Sequence, residues 1–376
     1  MAGLYVHVPF CATKCPYCDF VSAPASGRVK ARYLEALRAE ARRMAEAPEV
    51  RRLTFSTLYV GGGTPTTLPA DALADLVREL LAAFTWGDAP EVTVEANPES
   101  TTREGLARLK AAGVNRVSIG LQGMSDRALR VLGRPHDASQ GRAAVAAAAG
   151  AGLRVGVDLI FGWPGQDPAE WMAALEAVVE LGPEHVSAYE LSVEAGTPLA
   201  AAVQAGRLRL PGQALRSRLT DLAEDILEAH GYRQYEISNF ARPGGACRHN
   251  LNYWDEGPYL GLGAAAASFL PPARVRNVPD TLAYIDRVLR GEDPREEREE
   301  LDPEARFREA VVLALRTRDG IDPERFRRRW GLDPAAYYGR RLVRLVEAGL
   351  LEADAAGIRL TRRGRRLANQ VWMELV

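Results

Sequence analysis

The stretch Leu4-Tyr5-Val6-His7-Val8-Pro9-Phe10-Cys11-Ala12-Thr13-Lys14-Cys15-Pro16-Tyr17-Cys18-Asp19-Phe20 begins as a β-strand and ends as a loop carrying three thiols within eight positions. Leu4 to Val8 has the aromatic and β-branched content of a strand, and the loop holding Pro9 and Pro16 follows at once. Strand followed by functional loop then recurs. Short apolar runs at Thr57–Val60, Glu91–Ala96, Arg116–Leu121, Val155–Phe161 and His185–Leu191 read as further strands. Between them, amphipathic patterns near Val29–Ala45, Asp71–Ala83, Arg103–Ala112, Ser139–Ala151 and Pro168–Leu181 read as helices. Alternating strands and helices specify an α/β fold with a parallel sheet, and right-handed crossovers curl six such units into an incomplete (β/α)6 barrel of the TIM type.

In barrels the active site forms where the strands end. Gly61-Gly62-Gly63-Thr64-Pro65, Glu95-Ala96-Asn97-Pro98 and Gln122 stand at or just beyond strand ends, and Asp158 lies within the fifth strand. With the cysteine loop, five strands direct polar groups at one mouth.

Beyond the barrel pattern, Leu215–Ala229 reads as a helix, followed by Tyr235-Glu236-Ile237-Ser238-Asn239-Phe240 and Cys247-Arg248-His249-Asn250-Leu251-Asn252-Tyr253-Trp254. The charged stretch Gly291–Glu300 reads as a linker. Three helices (Pro303–Arg316, Asp322–Arg329, Pro334–Glu347) and a two-stranded wing over Leu350–Leu360 complete a small winged-helix-like unit. The expected organisation is residues 1–290 for the partial barrel and residues 300–376 for the C-terminal unit.

Of 376 residues, 47% are apolar, and 48 Lys and Arg face 49 Asp and Glu, which leaves a formal net charge of −1. Disorder and a polybasic nucleic-acid arm are excluded on those grounds. All but three basic residues are arginine, and arginines such as Arg327, Arg328, Arg329, Arg362, Arg363, Arg365 and Arg366 raise a nucleic-acid-binding reading of the wing. Acidic residues offset them, so a solvated face is the expectation. With no long uncharged apolar run and no signal-like N-terminus, a cytoplasmic location is expected.

Four cysteines cannot staple a chain of this length, and clustering of three points to metal. Soft sulfur selects zinc, copper(I) or an iron–sulfur cluster. Zinc would want a fourth ligand such as His7 or Cys247. A cubane held by three thiolates leaves one iron open.

The run from Tyr5 through Phe20 resembles the cluster loop of the radical S-adenosylmethionine superfamily, and Gly61-Gly62-Gly63-Thr64-Pro65 resembles its second hallmark. Glu95-Ala96-Asn97-Pro98, Ser118-Ile119-Gly120-Leu121-Gln122, Leu132-Gly133-Arg134 and Asp158-Leu159-Ile160-Phe161-Gly162 are similar to the branch containing oxygen-independent coproporphyrinogen III oxidase. The resemblance implies that Cys11, Cys15 and Cys18 hold a [4Fe–4S] cluster whose open iron binds S-adenosylmethionine. Tyr5 and Tyr17 would flank nucleoside and cluster. Gly62, Gly63 and Thr64 would admit the methionine moiety, and Glu95, Gln122, Arg134 and Asp158 would contact its amino, carboxylate and ribose groups.

One departure matters. The oxidase pattern has a further cysteine two residues beyond the third, where this chain has Phe20. The Cys-x2-Cys-Asp-Phe ending and the 235–240 and 247–254 segments resemble the HemW-type haem chaperones instead. That likeness implies haem as a further ligand, His249 as its iron ligand ahead of Cys247, and Tyr253 and Trp254 as aromatic surface. Implied partners are a haem-accepting protein and an electron donor for the cluster, with no nucleic acid and peripheral membrane contact only through the acceptor. Decarboxylation of coproporphyrinogen is the alternative activity. Without the likeness, His249 reads as a capped turn packed on the barrel.

Overall fold

The computed structural model describes residues 2–376. Six parallel strands follow the expected order: β1 (Ala2–Val8), β2 (Phe55–Gly62), β3 (Trp86–Ala96), β4 (Arg116–Gln122), β5 (Arg154–Phe161) and β6 (His185–Glu190), each paired with the next. Helices Gly27–Glu46, Ala70–Ala83, Arg103–Ala111, Ala138–Gly150 and Pro168–Leu181 cover the outer face. Their starts are written in the sequence. Asp137 and Gln140 form a reciprocal capping box, Asp167 caps the helix beginning at Pro168, and Gly182 closes that helix in the left-handed conformation.

The sheet extends past the six units on both sides. β7 (Arg233–Glu236) and β8 (Asn239–Ala241) form a hairpin that continues antiparallel from β6. On the other flank β9 (Tyr259–Leu262) lies parallel to β1, followed by β10 (Ala267–Leu270), β11 (Ala273–Asn277) and β12 (Arg295–Glu300). The stretch read as a linker is therefore partly an edge strand. Every residue of β12 is exposed, so it carries no apolar alternation to betray it; its register with β11 sets Arg274 against Glu299 and Arg276 against Glu297. Cross-strand charges supply what burial does not, and charge on an edge also deters further pairing.

Alternation divides the barrel. Leu4, Val6, Leu58, Val60, Val92, Val94, Val117, Ile119, Val157 and Leu159 point outward into the helix-covered core. Each fully buried side chain of this size contributes about 1.5–3 kcal/mol. The intervening positions, including Tyr5, Thr57, Tyr59, Glu91, Glu95, Arg116, Ser118 and Asp158, turn to the concave side. An outward core and a polar interior are thus the same strands read in two phases.

The C-terminal helices enclose a separate core around Phe307, Val311, Phe326, Leu345, Ile358 and Val371. The wing forms as expected, with β13 (Leu351–Asp354) antiparallel to β14 (Gly357–Leu360). The helix expected over Pro334–Glu347 breaks at Gly339, whose φ of 47° and ψ of −116° end one helix and start another. Several of its arginines bind inside the protein. Arg362, Arg365 and Arg366 engage Asp221, Glu224 and Asp225 of helix Gln213–Ala229, and Arg329 engages Glu256. These cations fasten the domain to the barrel. No helix among the described residues is long and apolar enough to cross a membrane.

Candidate cofactor site

The cysteine loop is held where β1 ends. Past the strand, Gly63 N–H donates to the Val8 carbonyl at 2.9 Å and Thr64 N–H to the Phe10 carbonyl at 2.7 Å, so the glycine run zips onto the loop. A side chain would prevent it. A Cβ on Gly63 would stand 2.6 Å from the Phe10 carbonyl oxygen, one on Gly61 2.7 Å from Glu95, and Gly62 combines φ of +107° with the His7 ring 2.5 Å away. These glycines serve packing as well as ligand access.

His7 secures the returning arm. Burial lowers its pKa, so the ring is neutral. Its Nε2–H donates to the Val21 carbonyl at 2.9 Å, because a carbonyl only accepts, and Nδ1 takes the Tyr5 hydroxyl proton at 3.0 Å. Ala23 N–H to the Pro9 carbonyl and Cys11 N–H to the Ala23 carbonyl close the loop's base.

A cavity of about 390 Å³ opens at the strand ends, and Cys11, Cys15, Cys18, Tyr17, Gly62, Gly63, Thr64, Glu95, Gln122, Arg134 and Asp158 all line it. Among the described residues no trio of His, Cys, Asp or Glu converges where a single ion would sit. All three thiols line this one cavity, in keeping with a polynuclear cluster that takes one thiolate per iron. Thr64 Oγ1–H approaches Cys11 Sγ at 3.4 Å while accepting from Asn97 at 2.8 Å, and Arg134 Nη1 lies 3.3 Å from Cys15 Sγ. Donors beside sulfur tune a cluster. The Nε–H of Arg134 is buried without a partner, a cation left with capacity to spare.

In the same cavity, Glu95 accepts from the Tyr59 hydroxyl at 2.7 Å and from Gly62 N–H at 3.0 Å. Burial first, then Asp158, pushes its carboxyl up to about 7, with the hydrogen bonds opposing. Burial likewise raises Asp158, which Ser118 reaches at 3.2 Å. Two desolvated carboxylates facing a cavity suit a cationic ligand group. Gln122 holds φ of +61°, backbone strain of the kind found at functional positions.

Two expected residues are elsewhere. Tyr5 does not face this cavity: Tyr59, stacked beside it at 6.4 Å, lines it instead, while Tyr5 lines a second, aromatic cavity of about 490 Å³ with His7, Tyr253, Trp254 and Phe269. His249 belongs to a short helix, Arg248–Trp254, that plugs the barrel floor. Its Nδ1 pairs with Thr57 Oγ1 at 2.7 Å, its Nε2 with the Tyr253 hydroxyl at 2.9 Å, and burial, then Arg116, lowers its pKa to about 3. A Cβ on Gly3 would stand 3.0 Å from its ring. Glu91 accepts from His249 N–H at 3.2 Å, with Cys247 Sγ at 3.6 Å. In this conformation neither His249 nitrogen is available to iron, and the residue sits on a helix packed against the barrel strands, not on a capped turn.

The cavity also contains Tyr59, Arg116, Ser187 and Glu190, which the sequence did not single out, and Ser118 and Asn250, which it quoted without giving them a role. Most lie two residues from an inward-facing neighbour, so strand alternation alone would have found them.

The Radical SAM superfamily profile matches residues 5–178, and the HemN C-terminal domain profile matches 301–367. The chain is 39% identical to the "Heme chaperone HemW" of Mycobacterium tuberculosis H37Rv over 98% of its own length and 93% of that protein's. The chain belongs to the HemW-type branch of the radical SAM superfamily. A Bacillus subtilis protein of the same name is 34% identical over 99% of this chain and 98% of its own. The Bos taurus "Radical S-adenosyl methionine domain-containing protein 1, mitochondrial" is 34% identical over all of this chain and 87% of its own. Among solved structures, coproporphyrinogen III oxidase (HemN) from Escherichia coli superposes with a TM-score of 0.86 at 26% identity, covering 100% of this chain and 89% of that one. The partial barrel with a C-terminal helical domain is therefore the HemN-like radical SAM architecture.

Proposed function

We propose that this protein binds a [4Fe–4S] cluster on Cys11, Cys15 and Cys18, S-adenosylmethionine beside it, and haem, which it passes to an acceptor protein. The observation that carries the cofactor reading is one cavity lined both by three thiols and by two desolvated carboxylates, Glu95 and Asp158. A cluster bound there would supply a reducing electron and an open coordination position. This chain's residues supply the rest. Glu95 and Asp158 hold the amino group, Arg134 and Gln122 take carboxylate and ribose oxygens, and Tyr17 flanks the cluster.

Haem is assigned to the aromatic cavity behind Tyr253. The Tyr253 ring lines it and its hydroxyl covers His249 Nε2, so rotation of one side chain would open His249 to iron. Phe20, 60% exposed at the cluster cavity, stands where the oxidase pattern has a cysteine and favours the chaperone. Likeness to HemN favours the second reading, coproporphyrinogen decarboxylation. An electron donor and the haem acceptor are the proposed partners, with membrane contact only through the acceptor.

Anaerobically reconstituted protein tests both readings. The expected result is haem binding that His249→Ala weakens and Tyr253→Phe strengthens, with no coproporphyrinogen turnover. Unchanged binding in His249→Ala removes that ligand; absence of haem binding removes the function; turnover establishes the oxidase.

A further inference from the structure

Where the helix that carries His249 ends, three consecutive residues are gripped by the C-terminal unit. Trp254 packs against the Arg316 guanidinium, 4.4 Å from its ring. The Asp255 carboxylate pairs with Arg325, and its carbonyl accepts from Arg329 Nη1 at 2.7 Å. The Glu256 carboxylate accepts from Arg306 Nε at 3.0 Å and from Arg329 Nη2, which also reaches the Glu256 carbonyl at 3.0 Å. All four arginines come from two helices of that unit, Pro303–Arg316 and Pro323–Trp330. Glu256 is only 3% exposed and holds φ of +50°, a conformation that a glutamate keeps only under outside restraint. A buried carboxylate shared by two cations is costly to strip of one of them, so the grip is firmest at Glu256.

The grip begins one residue after Tyr253. The Tyr253 ring stands edge-on between His249 at 4.9 Å and Tyr259 at 4.7 Å, and its hydroxyl meets His249 Nε2 at 2.9 Å. The same unit walls the aromatic cavity, where Glu309 and Leu313 of helix Pro303–Arg316 stand with Tyr253, Trp254 and Glu256. We infer that the C-terminal unit is a latch, which holds the end of helix Arg248–Trp254 shut over His249 until Glu256 leaves Arg306 and Arg329. With its ring packed on both sides and the next three residues pinned, Tyr253 turns away from His249 only when the helix end moves. An acidic partner that takes these arginines in place of Glu256 and Asp255 favours the open form, since a ligand shifts an equilibrium only through differential affinity. The consequence for iron rests on the haem reading; the latch itself does not.

Hydrogen–deuterium exchange on the full-length protein tests the latch without any ligand. Arg329→Gln is expected to speed exchange across 248–257 by about tenfold or more, while β3, β4 and the wing stay as protected as in wild type. Arg306→Gln, which leaves Arg329 on Glu256, should act in the same direction to a smaller extent, and it decides the matter if Arg329→Gln does not fold. Haem association, followed by stopped-flow absorbance, should be faster in both variants, and the gain should vanish when His249→Ala is added. Unchanged exchange across 248–257 in the folded variants overturns the latch. Faster exchange with unchanged haem association overturns its control of His249. Wild-type protein that binds no haem fails the haem reading instead, and the exchange result still decides the latch.

Discussion

The mouth and the floor of the barrel are built from the same strands, with Glu91 and Glu95 four residues apart on β3, and they have opposite fates. At the floor, Glu91 accepts from the helix bearing His249, and both His249 nitrogens are engaged. At the mouth, further along the strands, Glu95 and Asp158 face an open cavity. What separates them is the helix Arg248–Trp254, which fills one end of the interior and leaves the other open. Polar side chains inside a barrel do not by themselves declare a site; being left unfilled does.

Exchanging cysteines should break the comparison most sharply. Cys15→Ala at the mouth is expected to reduce iron in reconstituted protein to background, whereas Cys247→Ala at the floor should leave it unchanged. Cys247 is fully buried and burial, the largest influence, pushes its thiol up to about 11, so it is a packing group. Equal iron loss in both variants would merge the two regions.

The paired glutamates come next. Glu91→Gln removes the charge that faces the buried Arg116 and the half-buried Arg154, 3.6 Å away, and should cost about 3–5 kcal/mol in denaturant unfolding. Glu95→Gln should stay within about 1 kcal/mol, because that carboxylate is already disfavoured by burial. Its cost falls on binding: loss of a charged hydrogen bond of about 1.5–3 kcal/mol weakens S-adenosylmethionine ten- to a hundredfold. Reversed stabilities would show that the floor is the functional end.

Glu95 also fixes a pH dependence. Its folded pKa of about 7 lies above the usual carboxylate range, so between that range and 7 the folded state holds the extra proton and Glu95's contribution to stability declines as pH rises. Binding of a cationic amino group needs the ionised form and moves the other way. S-adenosylmethionine affinity should therefore climb from pH 6 to pH 8 and flatten in Glu95→Gln. An identical slope in the variant would move the titration to another residue.

The sequence displayed the mouth far better than the floor. Cys11, Cys15, Cys18, the glycine run, Glu95 and Asp158 sit in motifs or at strand ends, and the structure gathers them around one cavity. His249 stood out for the opposite reason: a histidine among asparagines and aromatics looks like a ligand, and only tertiary structure reveals that Thr57, 192 positions away, takes one nitrogen. Arg116 escaped notice because one arginine opening an apolar strand looks like a solvated strand end, until Glu91 and Cys247 are brought to it. β12 was hidden for want of any buried side.

The smallest expected effect is at the rim. The Phe20 side chain is 60% exposed, and the hydrogen bond from Lys14 goes to its backbone carbonyl at 3.0 Å, so any side chain can retain it. Phe20→Cys should change stability by no more than about 0.5 kcal/mol, as surface substitutions do. It nevertheless creates the further thiol of the oxidase pattern beside the cluster cavity. If three thiols suffice for the cluster, iron per chain stays as in wild type and no coproporphyrinogen is consumed, which places the difference between chaperone and oxidase elsewhere in the cavity walls. Turnover gained by this one substitution would instead locate that difference at residue 20 and make the mouth, not the aromatic cavity behind Tyr253, the part that sets the chemistry.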